Sequence, residues 1–576
     1  MPKLSIHDAG IGVMAATLLF VALFWRLGTP TFWDPDEAHY AETSREMIVT
    51  GDWWAPHYNE QPFYDKPAFF HQLQAAAMRA IADPETGARL VPALAALGLI
   101  ALTYWFAATL ISRDVGIVSA LILGASPGIF ALSRYAILDT LFTLFTFGGA
   151  AVLAVAALRD RRRLQWIGYV LLAFGVMVKG PLALVLAALT MLVLVAASAD
   201  LRRRLLALHW FAGLLLIVAL SSPWFVYMYV RFRQDFVNGY VLDENLRLFA
   251  ASRFANQPGF WFYFQILATG LLPWTGLLIG RMIDDLRCVW RGERVDHVET
   301  MLWAWTLVIV GFFTASTFKL DHYVFPAAPA LCVLCARAWT DVRNHHRQPS
   351  TAWSRLGLYL IGPFLVAVGL GCGYFVMARL ALPRAAMAVP IALTLAGATL
   401  TALANVRRAL PPRVPWVVIG ALTITYAGII LFVLPALERR KVVPEMAEWV
   451  AAQAGPTDRL CSFRMNRWAP AYRFYVRRHV HMLEDAAEAE AFFRKPGPFY
   501  CVMRHNAYEE FVAQGAKLRP VLEREGMAVT SGRALFRAPQ PPARYVVVTG
   551  PALESSDDTN RETLLRRTSA GGAGGR

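Results

Sequence analysis

Charge is scarce in this chain. Only 17% of its residues are Asp, Glu, Lys or Arg against 56% hydrophobic ones, and the mean hydropathy is +0.41. A chain of 576 residues with so few charges cannot hide its apolar surface inside soluble domains, which excludes an ordinary soluble enzyme. Cysteine is scarcer still, with six residues scattered along the sequence. Only Cys332 and Cys335 stand at a C-x-x-C spacing, and they sit inside an apolar run, where packing is a better reading than zinc. Acids are the minority charge, 41 against 56 basic residues, for a net charge of +15. Nucleic-acid binders also carry such an excess. Here, however, the arginines cluster between apolar runs, as membrane topology requires, so the expected partners are membrane lipids and no nucleic acid.

What is abundant is long apolar sequence. Counting runs of about 17 to 25 residues predicts an all-α polytopic membrane bundle of about thirteen transmembrane helices. The membrane domain is expected over residues 1–438, with an outer loop carrying juxtamembrane helices at 33–85 and a second outer loop at 231–259. Arginine-rich connections such as 159-RDRRR-163 and 202-RRR-204 are expected on the cytoplasmic side. The unusual polar stretches then share the opposite side: 33-WDPDEAHYAE-42, 133-SRYAILD-139, 179-KGP-181 and 316-STFKLDHY-323. Beyond about residue 439, strand-like runs (459-RLCSF-463, 479-HVHML-483, 498-PFYCVM-503) alternate with helical patterns. They predict a small C-terminal α/β extracytoplasmic domain over 439–545, followed by a disordered tail over 546–576. Cys461 and Cys501 fall on two of these strands, where buried thiols are favoured over a disulfide.

Three carboxylates in 33-WDPDEAHYAE-42 need a reason. Asp34 as N-cap, Pro35 as the first helical residue and Glu37 as a capping-box partner account for two of the acids, leaving Asp36. A helix from here to a stop at Gly51 reads as amphipathic and lying on the membrane surface, anchored by Trp53 and Trp54. In 62-PFYDKP-67, Lys66 runs against the positive-inside trend, and a cation beside a carboxylate suits a phosphate head group. Asp139 at the mouth of a span has an N-cap reading as well as a catalytic one, while Lys319, His322 and Tyr323 lie between two spans. Carboxylates and cations on one face of a bundle define a site for a lipid-borne anionic substrate.

With these motifs in order, the sequence resembles the bacterial aminoarabinose transferase family of lipid A modifying enzymes, within the GT-C superfamily. WDPDEAHYAETSREMIVTGDW and PFYDKP carry the resemblance, followed by SRYAILD, KGP, 242-LDENLRLF-249, 271-LLPW-274 and 316-STFKLDHYVFPAAPA-330. The resemblance implies an undecaprenyl-phosphate-linked sugar donor, 4-amino-4-deoxy-L-arabinose. The acceptor would be lipid A or another outer-leaflet molecule, at the periplasmic face of the bacterial inner membrane, by single displacement with inversion. Asp36 matches the family's catalytic candidate, with Asp139 as a second. His39, Tyr40, Tyr64, Lys66, Lys319 and Tyr323 become expected substrate-binding residues. His39 stands where the family often has Arg, Asp65 where it has Glu and Asn245 where it has His. Asp65 is thereby the one expected ligand of a divalent metal ion. Rival expectations are a related transferase moving a different sugar to another glycan, lipid or protein, and a lipid or solute transporter. A transporter would place ionisable groups near mid-membrane and show repeat symmetry, and neither is visible.

Overall fold

The structure, a computed structural model, describes residues 6–247, 258–293, 296–344, 349–379, 382–404, 410–465, 470–526 and 543–550. The chain divides into two compact units. One is Met1–Phe32 with Tyr40–Glu438, the other Trp33–His39 with Arg439–Arg576.

The larger unit is helical. Its first eleven helices are α1 (Ile6–Leu19), α2 (Asp36–Thr50, whose first four residues count with the smaller unit), α3 (Phe69–Ala80), α4 (Pro84–Leu110), α5 (Arg113–Ala125), α6 (Pro127–Ser133), α7 (Asp139–Leu158), α8 (Gln165–Lys179), α9 (Leu182–Ala197), α10 (Ala199–Leu206) and α11 (Trp210–Phe236). Local chemistry sets several of their starts. Asp83 caps α4 by accepting from Thr86 N–H, with Pro84 in the first turn, and Ser112 caps α5. Ser126 caps α6 ahead of Pro127, and the chain bends by 60° between α5 and α6. Helices α7 and α8 cross closely because Gly149 meets Gly168. A Cβ on Gly149 would lie 2.6 Å from Leu172 Cγ, and one on Gly168 2.7 Å from Leu153 Cγ.

Among the described residues, eight helices are long and apolar enough to cross a membrane, ten if each of two bent pairs is one span. The expected count of about thirteen is not confirmed. Each of the apolar runs carries helix, but α8 and α9 have only 15 and 16 residues, and 262–290 is two helices bent by 117°.

The helix over 36–50 departs from the surface amphipathic expectation. Glu42, Thr43 and Ser44 in α2 are fully buried and Glu46 is 4% exposed. Their polar atoms are satisfied inside the protein: Glu42 pairs with Arg45, and Glu46 accepts the backbone N–H groups of Asn59 and Glu60 in the turn between β1 (His57–Tyr58) and β2 (Gln61–Pro62). Arg89, 1% exposed on α4, donates to the carbonyls of Leu27 and Pro30 and lies over the Phe32 ring, fixing the chain after α1.

The smaller unit contains a five-stranded mixed sheet in the order β4-β3-β5-β7-β6, from β3 (Arg459–Phe463), β4 (His481–Leu483), β5 (Phe499–Arg504), β6 (Arg519–Gly526) and β7 (Ala543–Thr549). The three expected strands are the parallel part, and β7 runs antiparallel to β5. Strand β7 continues past residue 545, where the polar tail was expected to begin, since Val546, Val547 and Val548 are fully buried. Residues 551–576 of that expected tail lie outside the described residues. Cys461 and Cys501 face each other in register as free, fully buried thiols, and burial pushes Cys461 above the ordinary thiol range.

Candidate functional site

In the larger unit, Asp139 opens α7 and Lys179 closes α8. Lys179 Nζ lies 2.5 Å from Asp139 Oδ1, and His322 Nε2 is 3.6 Å from Asp139 Oδ2. The carboxylate that reads from sequence as an N-cap is instead the partner of a buried cation, and no side chain caps α7. The Lys179 ammonium also sits over the Tyr323 ring, 4.4 Å from its centre, and over Phe142. His322 and Tyr323 belong to a 3-10 turn, Asp321–Ala327, whose Pro326 carbonyl accepts from Trp305 Nε1 at 2.7 Å. That bond satisfies backbone at the break which Pro326 makes. Just beyond Lys179, Gly180 has φ 75°, and a Cβ there would come within 2.1 Å of the Tyr240 hydroxyl, so only glycine lets the two segments meet.

Lys66 Nζ pairs with Glu244 at 3.4 Å and donates to the Asp65 carbonyl at 2.9 Å. Its ion-pair partner is therefore a residue of the π-helical segment Val237–Arg247 rather than the adjacent Asp65 carboxylate. The Lys66 charge also acts on Lys179, which places two ammonium groups in one field. Tyr64 is edge-on to Phe232 and Phe236, and burial followed by the Asp235 charge lifts its phenol above the ordinary value, keeping it a hydroxyl donor. Tyr40 stacks on His71 with centroids 5.3 Å apart, and Lys319 Nζ donates to the Ser316 carbonyl at 2.7 Å.

The structure thus brings Asp139, Tyr323 and the Lys66 region together through Lys179, His322 and Glu244, which were not among the expected site residues. The signal for Lys179 was present in 179-KGP-181, a cation at the uncharged end of two apolar helices. Glu244 stood in 242-LDENLRLF-249, but nothing local pointed to Lys66, which lies 178 residues away.

Asp36 and His39 belong to the smaller unit with Trp33–His39. Asp36 is half-buried at the first position of α2. The capping box is corrected here. Asp34, 4% exposed, accepts from Ala471 N–H at 2.9 Å, and Glu37 accepts from Trp33 N–H instead of closing on Asp34. Lys441 Nζ lies 3.9 Å from the centre of the Trp33 ring.

Asp65 does not gather a metal-binding set. Among the described residues no three His, Cys, Asp or Glu side chains are placed to hold a metal ion, and the side chain of Asn245 lies outside those described. No step below runs through the expected divalent ion.

Residues 13–236 match the family model "Dolichyl-phosphate-mannose-protein mannosyltransferase". Among curated proteins, the chain is 31% identical over 312 residues to the undecaprenyl phosphate-alpha-4-amino-4-deoxy-L-arabinose arabinosyl transferase 1 of Sodalis glossinidius, covering 53% of this chain and 54% of that one. It is 30% identical over 334 residues to the corresponding transferase of Edwardsiella ictaluri, covering 56% and 59%. The chain therefore spans little more than half the length of these relatives. Among solved structures, ArnT from Cupriavidus metallidurans superposes with a TM-score of 0.74 in the apo state and 0.70 bound to undecaprenyl phosphate. Both cover 96% of this chain, at 20% and 21% identity, and 100% and 99% of their own chains. In sequence the chain is similar to those arabinosyl transferases, and its fold is that of ArnT.

Proposed function

We propose that this protein is an integral membrane glycosyltransferase that moves 4-amino-4-deoxy-L-arabinose from undecaprenyl phosphate to lipid A at the periplasmic face of the bacterial inner membrane. The observation that carries the reading is the pair of ammonium groups, Lys66 and Lys179, each held by one carboxylate, with the Tyr323 ring beneath Lys179. As the bond between the anomeric carbon and the phosphate oxygen breaks, the leaving undecaprenyl phosphate gains negative charge. Fixed cations in a water-poor site stabilise that charge without reorganising. The new bond forms between the anomeric carbon and an acceptor oxygen on the opposite face, giving inversion. Asp36, whose role comes from the sequence, orients or deprotonates that acceptor. If the acceptor is a phosphate monoester, already largely ionised with a second pKa of about 6, Asp36 positions a substrate, for instance through the sugar's amine. His39, Tyr40, Tyr64 and Lys319 complete the proposed contacts with sugar and head group.

The match to the mannosyltransferase model supports a second reading, transfer of a different polyprenyl-linked sugar to a protein. One experiment separates the two: mass spectrometry of lipid A from a strain lacking its own transferase, with and without this protein. A mass increment of one aminopentosyl residue is expected. Unchanged lipid A, with glycosylated membrane protein instead, would transfer the assignment to the second reading. The orientation has its own check, in a background with Cys288 and Cys372 replaced by serine. Cysteine at exposed Gln61 should react with an impermeant thiol reagent in intact spheroplasts, and cysteine at exposed Arg203 should not.

A further inference from the structure

Beneath α2 lies a buried chain of polar side chains that none of the proposed chemistry uses. Ser44, His71 and Gln74 are all fully buried. Gln74 Nε2 sits 3.2 Å from two acceptors, the backbone carbonyls of Ala88 and Ala136. Two carbonyls facing the amide leave one orientation, nitrogen toward them, because the flipped amide would set oxygen against oxygen. Gln74 Oε1 must then accept, and it does so from the Ser44 hydroxyl at 2.6 Å. A serine hydroxyl has one hydrogen, and that hydrogen is now committed. The contact between Ser44 Oγ and His71 Nδ1 at 3.1 Å is therefore donated by the histidine, so Nδ1 carries a hydrogen. Every donor in the chain has a direction, running from His71 through Ser44 to Gln74 and on to the carbonyl of Ala136.

Its two ends are the informative part. At one end the His71 ring is stacked on Tyr40, with an interplanar angle of 14°, and flanked edge-on by Phe63 and Phe70. Tyr40 follows Asp36 by four residues on α2. At the other end, Ala136 lies three residues before Asp139, in the turn that leads into α7. Apolar side chains of the same volume would fill this space without any desolvation cost, so the bonds that link His71 Nδ1, Ser44 and Gln74 specify geometry more than stability.

We propose that Ser44, His71 and Gln74 form a positioning relay that fixes Tyr40 relative to the segment delivering Asp139. This rests on the proposed transfer reaction, so its test has one arm that does not. The relay residues touch neither donor nor acceptor. Breaking any one link should lower kcat for transfer at least about fivefold while leaving KM for the donor within twofold, because the cations that hold the phosphate stay in place. The losses should not add: Ser44→Ala combined with Gln74→Leu should be no slower than the worse single variant, since one break already disconnects the ends. Additive losses, or a raised KM at unchanged kcat, would overturn the relay.

The independent arm is nitrogen NMR of the detergent-solubilised full chain labelled in histidine, with His71 assigned by its loss in His71→Gln. A protonated Nδ1 is expected in the wild type, and its signal should shift in Gln74→Leu. A bare Nδ1 at His71 would overturn the relay whatever the activity. Absence of transfer by the wild type, with Nδ1 protonated, would instead overturn the functional reading and leave the relay in place.

Discussion

Lys179 and Asp139 form an ion pair 2.5 Å long whose side chains are 7% and 3% exposed. Removing one partner of such a pair leaves an uncompensated buried charge, which typically costs about 3–5 kcal/mol, whereas removing both can be nearly neutral. Lys179→Met and Asp139→Asn should each lower the thermal midpoint of the solubilised protein, and the double variant should recover most of that loss. Transfer should not recover with it. A double variant that regained both stability and activity would reduce this pair to a structural brace.

Lys66 shares its field with Lys179 and is held by Glu244. Lys66→Ala should reduce transfer by at least about a hundredfold, roughly 2.7 kcal/mol of transition-state stabilisation. Lys66→Arg keeps the charge but changes its shape, and should retain part of the rate. Kinetics at matched membrane abundance measure both. Near wild-type turnover by Lys66→Ala would move the donor phosphate elsewhere.

The three acids of the opening motif should separate cleanly. Asp34→Asn and Glu37→Gln keep an acceptor oxygen for Ala471 N–H and Trp33 N–H, so their effect on transfer should be small. Asp36→Asn removes charge at nearly constant shape and should cost at least about tenfold in kcat, or roughly 1.4 kcal/mol. Equal small losses at all three would withdraw the catalytic role from Asp36.

Asp34 also makes a prediction about pH. Burial outweighs the opposing Ala471 N–H bond and the Lys441 charge, and its carboxyl is pushed up to about 7. A folded pKa above the unfolded one means that the protonated form contributes stability, in full below about pH 4 and progressively lost as the pH rises through about 7. Amide exchange over Ala471–Val476 should therefore quicken between pH 5 and pH 8 beyond the intrinsic rate increase. Asp34→Asn, which cannot ionise, should flatten that excess. An unchanged excess in the variant would place the titrating group elsewhere.

Much of the fold was legible because membrane chemistry writes itself into sequence. Long apolar runs announce helices, and Pro127 after Ser126, or Pro84 after Asp83, announces where they begin. Strands β3 and β5 were equally visible as short apolar runs. Strand β6 was not, since Arg519, Glu523, Arg524 and Glu525 give it the look of a charged loop. It is an edge strand, where charges are tolerated and even protective. The site was legible in its residue types but not in its pairings. Asp34 and Asp139 both sit where an N-cap would, and nothing local reveals that their partners are Ala471 and Lys179. Local spacing predicts local bonds, and these two carboxylates make distant ones. Burial of α2 was missed for a related reason: its polar residues look solvent-facing until Ser44 and Glu46 find their partners elsewhere in the chain.

The strip Trp33–His39 shares one compact unit with Arg439–Arg576, although some four hundred residues of chain separate them. Chains are synthesised from the N-terminus at about 5–20 residues per second. Asp36 is thus made some four hundred residues before the Ala471 amide that seats its neighbour Asp34. A chain still short of that point carries Asp34 without its seat, so the finished strip is available only to a polypeptide whose translation has passed Ala471. Assembly order by itself withholds the finished motif from partial products.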